Sequence, residues 1–470
     1  MTMKKLFTLA LILCVASIVS CTKTEYVPVL PEEEVDNSTY TIMIYGCGGE
    51  NLDNSMILNI QEALIAGASD RVKFTGQVKF SKRYQVEEAL AGTQRFIVGE
   101  PGAQWYEPVE VLPSDLPLHQ PETLTDFINW SKEQCPADEY ILILWNHGGA
   151  WFPSDDYYSR AVVYDDNNGK QGLGLDNMVK GIKDSNTKFK MIYYDACLMG
   201  MIEIIAGISE CTDYTMCASH VTPGLGGDYN SLIHHLNAST NFEESMAAYC
   251  RETVAHWEPT GMPLDLMLVN NRKLQPLLNE IKLLSGYVTE LAEIYNDCQD
   301  DEEYDLIKST LSATFKMAVT GCYHYHWAYY EDGSPVYPFF DLQQFVELLA
   351  NGGITPYTAK FVDLASRINR ASADALICKE LTAPLSDEDL TFGICIIDKL
   401  TWKNCGYSPA YEELEFHKQT GWGNWLKVNP VLPVGNPDPA SFFDIPEGAE
   451  PEPTPIEEEI DYLLRLIGKR

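Results

Sequence analysis

The chain has 470 residues, of which 45% are hydrophobic and 21% are charged. This composition is typical of a globular protein with a large core and excludes wholesale disorder. The formal net charge of -35 repels phosphate backbones and anionic head groups, so we expect no nucleic acid among the partners.

The N-terminus has the pattern of an export signal. Lysines at positions 4 and 5 precede an apolar stretch, residues 6–15, that is too short to span a bilayer as a stable helix. The run Ile-Val-Ser-Cys that ends at Cys21 resembles a bacterial lipobox. We therefore predict a lipoprotein signal peptide over residues 1–20 and an exported protein held at a membrane only by lipid on Cys21, at the periplasmic face or the cell surface. An ordinary cleaved signal with an incidental cysteine is the alternative.

Composition divides the remaining chain into three parts. Residues 21–38 are rich in glutamate and lack apolar periodicity, which indicates an acidic spacer that begins at the lipidated cysteine. Residues 39–428 contain the periodic apolar segments of one folded domain. Residues 429–470 are rich in proline and acidic residues, which is typical of an extended C-terminal tail.

Short apolar segments alternate with helical patterns along the folded domain. A strand over residues 40–45 ends at a glycine turn, and a helix follows from about residue 53. We predict further strands at 72–80, 93–98, 140–145, 191–194 and 391–397, and further helices at 124–134, 274–297 and 341–351. Strands that are apolar on both faces and alternate with helices predict an α/β fold, with a mostly parallel sheet flanked by helices in three α/β/α layers. In such sheets, functional sites gather beyond the C-terminal ends of the strands.

Two motifs follow buried strands directly. In the first, an apolar strand ends and His147 is followed by two glycines, Gly148 and Gly149. Histidine suits proton transfer near neutral pH, and glycines let a substrate approach the main chain closely. In the second, a strand runs into Asp195-Ala-Cys197 just before a helical stretch. A cysteine at that place lies where backbone amides and the helix dipole favour the thiolate.

Each motif alone has an ordinary explanation, since a histidine at a strand end is often a polar cap and a single cysteine is often part of the core. Together they supply a base and a nucleophile at neighbouring strand ends, which is the arrangement that covalent catalysis requires. The pair His147 and Cys197 is therefore our candidate catalytic site.

The His-Gly motif followed by Asp-Ala-Cys, each after an apolar strand, resembles the clostripain family of cysteine peptidases within the caspase, legumain and gingipain group. The similarity extends to the segments 161–166, 173–182, 218–229, 334–349 and 390–426, and covers roughly residues 40–426. It implies a caspase-like fold over the folded domain and a cysteine endopeptidase activity. By this resemblance Cys197 is the nucleophile, His147 is its acid–base partner, and the backbone amides of Gly148 and Cys197 form the oxyanion hole.

The resemblance also implies cleavage after arginine or lysine, with an acidic residue at the base of the substrate pocket. Asp228 occupies the matching place, although Gly227 stands where the family usually has a bulky aromatic residue. The other reading of Asp228 is a turn residue in a glycine-rich loop. We interpret Asp195 as a structural or pocket-lining residue and not as a third catalytic member.

Several relatives in the family cut themselves between the histidine and the cysteine. The corresponding stretch here, residues 150–190, contains Arg160 in a polar loop and Lys170 at a turn. Exposed polar loop tips are favoured sites of cleavage, so we predict autoproteolysis after one of these two residues. The alternative is that both are ordinary solvated charges.

We expect no metal or other cofactor. Cys322, His324 and His326 would lie on one face of a strand, but nothing nearby suggests a fourth ligand, and an aromatic-rich strand explains them better. Some relatives respond to calcium, which this acidic chain could bind, yet the sequence has no ordered ligand spacing for it. The expected partners are protein or peptide substrates. The alternatives are an inert or binding surface lipoprotein on the same fold, and a peptidase of this fold with non-basic specificity.

Overall fold

The computed structural model describes residues 36–80, 92–103, 105–151, 162–165, 171–297, 302–325, 328–329, 335–336, 338–352, 357–397 and 408–430. The predicted signal peptide, Cys21, Arg160, Lys170, His326 and nearly all of the C-terminal tail lie outside these residues. No helix in the described ranges is both long enough and apolar enough to cross a membrane.

The strands and helices are numbered here in chain order. The strands are β1 Tyr40–Cys47, β2 Val72–Phe80, β3 Gly92–Ile97, β4 Glu110–Leu112, β5 Glu139–Trp145, β6 Phe189–Asp195, β7 Thr212–Cys217, β8 Asp265–Asn270, β9 His324–Tyr325, β10 Ala328–Tyr329, β11 Pro335–Val336, β12 Phe339–Asp341, β13 Leu376–Leu381 and β14 Gly393–Cys395. The helices are α1 Gly49–Ala66, α2 Pro121–Gln134, α3 Leu175–Asp184, α4 Ile202–Ile208, α5 Tyr229–Ala238, α6 Phe242–Trp257, α7 Leu274–Asp297, α8 Glu302–Gly321, α9 Leu342–Asn351, α10 Thr358–Ala375, α11 Ser408–Glu413, α12 Glu415–Thr420 and α13 Trp422–Val428.

The described residues form one large sheet with the strand order β13-β8-β7-β6-β5-β1-β2-β3-β4. Its five central strands, from β7 to β2, are mutually parallel, whereas β3 and β4 at one edge and β8 next to the other edge pair antiparallel to their neighbours. Parallel strands need crossover connections, and the helices between them supply these connections.

Alternate side chains of the central strands enter two separate cores. On β5, Leu142 and Leu144 join the core under α2, α3 and α4, while Ile141 and Ile143 join the core under α1, α5 and α6. Strands buried on both faces must be apolar throughout, which is the pattern that the sequence carries. The prediction of a mostly parallel sheet in three α/β/α layers is confirmed.

One predicted strand belongs to a different sheet. The segment 391–397 contributes only Gly393–Cys395, and this strand pairs antiparallel in a small sheet with the order β14-β12-β9. The predicted alignment of Cys322 and His324 on one strand face is wrong, because β9 comprises His324–Tyr325 alone and Cys322 stands just beyond the end of α8. Within the described ranges, no group of three potential ligands is placed to hold a metal ion.

Candidate active site

The two motifs meet because their strands are paired in register. β5 and β6 are parallel neighbours, and their last residues, Trp145 and Asp195, are direct partners. His147 and Cys197 each lie two residues beyond this pair, at the same edge of the sheet. Both residues line one cavity of about 220 Å³. The structure therefore brings the predicted base and the predicted nucleophile into one site.

Gly148 lies against the backbone of Cys197. A β-carbon built on Gly148 would stand 2.1 Å from the carbonyl oxygen and 2.9 Å from the amide nitrogen of Cys197, distances that no real β-carbon tolerates. Only glycine allows this approach. The two backbone segments that the family resemblance assigns to the oxyanion hole are thus in direct contact.

The sulfur of Cys197 receives a hydrogen bond from the main chain. The backbone amide of Thr222 donates to Sγ over 3.2 Å, from the loop of residues 218–228 that joins β7 to α5. A hydrogen bond donated to sulfur stabilises the thiolate more than the thiol. Sequence reasoning did not single out Thr222, and the one signal for its position was the Pro-Gly turn at 223–224 that follows it.

Asp195 is a buried carboxylate in the wall of the cavity. It is 4% exposed, and its Oδ2 accepts hydrogen bonds from the Gly227 amide at 2.9 Å and the Tyr229 hydroxyl at 2.8 Å. Burial raises the pKa of Asp195 to about 6, while these two hydrogen bonds oppose the shift. Its Oδ1 finds no hydrogen-bond donor among the described residues. A desolvated acceptor at a cavity is suited to a cationic ligand.

Asp228 has a different place. Its Oδ1 accepts from the Ser231 amide over 3.0 Å and caps the N-terminus of α5, and Asp228 is not among the residues that line the cavity. Burial raises the pKa of the neighbouring Glu62 well above its usual range, and the charge of Asp228 raises it further. In the structure Asp228 therefore caps a helix, as expected of a turn residue. It has no place in the lining of the cavity, where a residue that contacts the substrate would lie.

Gly227 is explained by two tyrosines. A β-carbon at this position would stand 2.4 Å from the hydroxyl oxygens of both Tyr193 and Tyr249. These hydroxyls occupy the space that a side chain at position 227 would need. The chain therefore has glycine at position 227, where the family usually has an aromatic residue, because Tyr193 of β6 and Tyr249 of α6 leave no room for a side chain.

The chain after His147 returns to the site and is anchored there. Gly148 forms an antiparallel bridge with Val162, and the amide of Tyr164 donates to the side-chain oxygen of Asn146 over 2.9 Å. Asp165 pairs with Lys79 of β2 over 2.7 Å, and both side chains are fully buried. Removing one partner of a buried ion pair leaves an uncompensated buried charge and is costly. Residues 162–165 are therefore held firmly, by the chain next to His147 and by β2.

Comparison with known proteins gives a consistent result. The sequence model described as the clostripain family matches residues 114–428. Clostripain from Hathewaya histolytica is 26% identical over 368 residues, which is 70% of this chain and 69% of that protein.

Solved structures agree on the fold. An inactive zymogen C11 protease from Parabacteroides distasonis superposes with a TM-score of 0.57 at 19% identity, over 82% of this chain and 99% of that one. A secreted C11 cysteine protease from Bacteroides thetaiotaomicron, bound to an irreversible peptide inhibitor, superposes with a TM-score of 0.59 at 13% identity over the same shares of the two chains, 82% and 99%.

Proposed function

The chain belongs to the clostripain family and is a cysteine-type endopeptidase, and we propose that its chemistry is carried by His147 and Cys197. The observation that supports this dyad best is the register of β5 and β6, which places both residues two positions beyond one strand pair and around one cavity. Covalent catalysis needs a nucleophile with a base close by, and two neighbouring strand ends beside one cavity are a place where such a pair can meet.

In the proposed reaction, the thiolate of Cys197 attacks the carbonyl carbon of the scissile bond. The negative charge that develops on the carbonyl oxygen is stabilised by the amides of Gly148 and Cys197. His147 holds the proton taken from the Cys197 thiol and gives it to the departing amine as the carbon–nitrogen bond breaks, which leaves the acyl group on Cys197 as a thioester. It then takes a proton from the water that hydrolyses the thioester and releases Cys197. We propose no cofactor for these steps, because the chain's own groups supply the nucleophile and the proton transfers.

We propose that the pocket selects arginine or lysine before the cleaved bond, and that Asp195 is the selecting residue. The supporting observation is its buried Oδ1, which lacks a donor among the described residues at the wall of the cavity. A guanidinium or ammonium group would supply that donor as a charge-assisted hydrogen bond. In this proposal Asp228, which caps α5, contributes negative electrostatic potential to the pocket but does not contact the substrate.

The alternatives differ in what a substrate panel would show. A fluorogenic peptide series that varies only the residue before the scissile bond should be cleaved after arginine and lysine by the wild type and not at all by Cys197→Ala. A preference for acidic or neutral residues would favour the same fold with other specificity. An absence of cleavage by the wild type on every peptide would favour an inert or binding lipoprotein.

Activation and location are further proposals. We propose autoproteolysis after Arg160 or Lys170, two basic residues in the stretch between His147 and Cys197, on either side of Asp165, which pairs with Lys79. Intact-mass analysis should find two fragments from the wild type and a single chain from Cys197→Ala.

We also propose export and lipid anchoring at Cys21, which palmitate labelling of the wild type and Cys21→Ala would test.

A further inference from the structure

The loop that supplies the Thr222 amide is tied to the segment around Cys197 by three hydrogen bonds, each donated by a main-chain amide. The bonds run from Gly200 N to Ala218 O at 2.7 Å, from Leu198 N to His220 O at 3.0 Å, and from Thr222 N to Cys197 Sγ at 3.2 Å. The position of this loop therefore sets the environment of the sulfur. A shift of residue 220 by a few tenths of an ångström would therefore change the distance between the Thr222 amide and the sulfur of Cys197.

A buried carboxylate anchors the loop from below. Asp265, the first residue of β8, is fully buried and accepts from the amides of Ser219 and His220 at 3.0 and 2.9 Å. It also bonds to the imidazole Nδ1 of His220 at 2.7 Å and forms an ion pair with Lys379 of β13 at 3.1 Å. Burial alone would raise the pKa of Asp265, but the charges of Lys379 and His220 and the hydrogen bonds lower it below its usual range. Asp265 is therefore ionised and can only accept, so Nδ1 of His220 donates.

The other side of the imidazole is held by aromatic residues. Nε2 of His220 lies 2.9 Å from the hydroxyl oxygen of Tyr323, and the ring stands edge-on to Tyr323 and Tyr325. The side chain of His220 is almost completely buried. Both ring nitrogens are thus engaged, and the ring is wedged between the end of the large sheet and the small sheet.

We propose that His220 is a positioning residue of the active site, which holds the Thr222 amide on the sulfur of Cys197 through its Nδ1 bond to Asp265. This rests on the proposed role of Cys197 as the nucleophile. His220 is not among the residues that line the cavity, so in this proposal it acts through the loop. Loss of the imidazole would leave Asp265 without one of its donors and would loosen the loop, which would then be held to Asp265 only by the amides at positions 219 and 220.

The proposal predicts which substitutions keep the function. Asparagine places its amide nitrogen where histidine has Nδ1, so His220→Asn keeps the bond to Asp265 and loses the bond to Tyr323. Glutamine places its amide nitrogen nearer to the position of Nε2, so His220→Gln loses the bond to Asp265. Tyr323→Phe removes the Nε2 partner while the imidazole stays.

The test uses the full-length chain and measures alkylation of Cys197 by iodoacetamide against pH, read by peptide mapping. His147 and Asp195 line the same cavity and shape this profile, but they are unchanged in every variant. We expect His220→Ala and His220→Gln to move the midpoint of the profile to higher pH and to lower kcat on an arginine substrate more than tenfold, with little change in KM. We expect His220→Asn and Tyr323→Phe to stay close to the wild type.

A purely structural role would lower the melting temperature of His220→Gln and leave its alkylation midpoint and kcat unchanged, and this result would overturn the proposal. So would a His220→Asn variant as impaired as His220→Gln. If His220→Ala does not fold, the comparison of the asparagine and glutamine variants still decides the question. If Cys197 of the wild type is alkylated but the wild type cleaves no peptide, the proposed peptidase function is refuted. The alkylation midpoints of the His220 variants would still test the positioning role.

Discussion

Gly148 lies so close to Cys197 that a β-carbon on the glycine would stand 2.1 Å from the cysteine's carbonyl oxygen. The contact joins the loop that carries the candidate base to the loop that carries the candidate nucleophile. Neither loop can move far without the other, so the geometry of the site depends on a residue with no side chain.

Gly148→Ala should therefore abolish most activity without unfolding the protein. The added methyl group must push the backbone of Cys197 aside and misplace one or both oxyanion donors, each worth roughly 3–4 kcal/mol, or about 100-fold or more in kcat. Gly99→Ala is the matched control, because a β-carbon at Gly99 meets nothing within 4 Å. Kinetics on one arginine substrate compares the two variants, and a Gly148→Ala enzyme with near wild-type kcat would show that the contact does not shape the site.

Asp195 should give basic specificity that depends on pH. The ratio of kcat/KM for an arginine peptide to that for the matched citrulline peptide isolates the charge, because citrulline has the shape of arginine without its cation. The pKa of Asp195 is about 6, so this ratio should be constant above neutral pH and fall as pH drops below 6 and the carboxylate is protonated. Asp195→Asn should bring the ratio near 1 at every pH, whereas an unchanged ratio would remove Asp195 from recognition.

Asp228 should affect stability and not specificity. Loss of an N-cap aspartate typically costs about 1 kcal/mol, so Asp228→Ala should lower the free energy of unfolding by roughly that amount. Asp228→Asn keeps the capping oxygen and should stay near the wild type. The arginine-to-citrulline ratio should be the same in all three proteins. A selective loss on the arginine peptide in both variants would return Asp228 to the substrate pocket.

The sequence predicted the sheet, and the shared location of His147 and Cys197 at one edge of it, because both depend on local patterns. Apolar strands buried on both faces imply a parallel sheet, and His147 and Cys197 each follow such a strand directly. The family resemblance pointed to Asp228 as the selecting residue and to Asp195 as a structural or pocket-lining one, because only the packed structure separates a residue of the cavity wall from a helix cap. His220 and Asp265 are 45 residues apart, and the sequence carried no signal of their contact. The segment 391–397 was predicted as a strand, but its place in a separate small sheet was not, because the strands of that sheet have only two or three residues each, too few to show periodicity.

Glu203 should make the protein less stable as pH rises. This buried carboxyl accepts from the Cys395 amide at 2.8 Å and the Tyr411 hydroxyl at 3.0 Å, and burial raises its pKa from 4.5 to about 7. The folded state prefers the protonated form, so the stability from this group is present below pH 4.5 and is lost as pH rises through 7. The loss amounts to about 3 kcal/mol by pH 8.

Glu203→Gln should escape this loss, because an amide keeps the acceptor oxygen and never ionises. Relative to the wild type, the variant should gain about 3 kcal/mol of unfolding free energy between pH 4 and pH 8, measured by urea denaturation. The exposed Glu100→Gln should show no such trend. Parallel curves for Glu203→Gln and the wild type would mean that burial does not raise the pKa of Glu203 in the folded protein.

We propose that Cys197, with His147 as its base, is the nucleophile of an endopeptidase that cleaves after basic residues. An irreversible peptide electrophile that ends in arginine tests it most directly, through mass spectrometry of the labelled chain beside kinetics on the matching fluorogenic substrate. We expect one label per chain, on Cys197, with activity lost in proportion to labelling, and neither label nor activity in Cys197→Ala. His147→Ala should cleave no substrate and label far more slowly. Activity that survives in Cys197→Ala, or a label on another cysteine that inactivates the enzyme, would show that Cys197 is not the nucleophile.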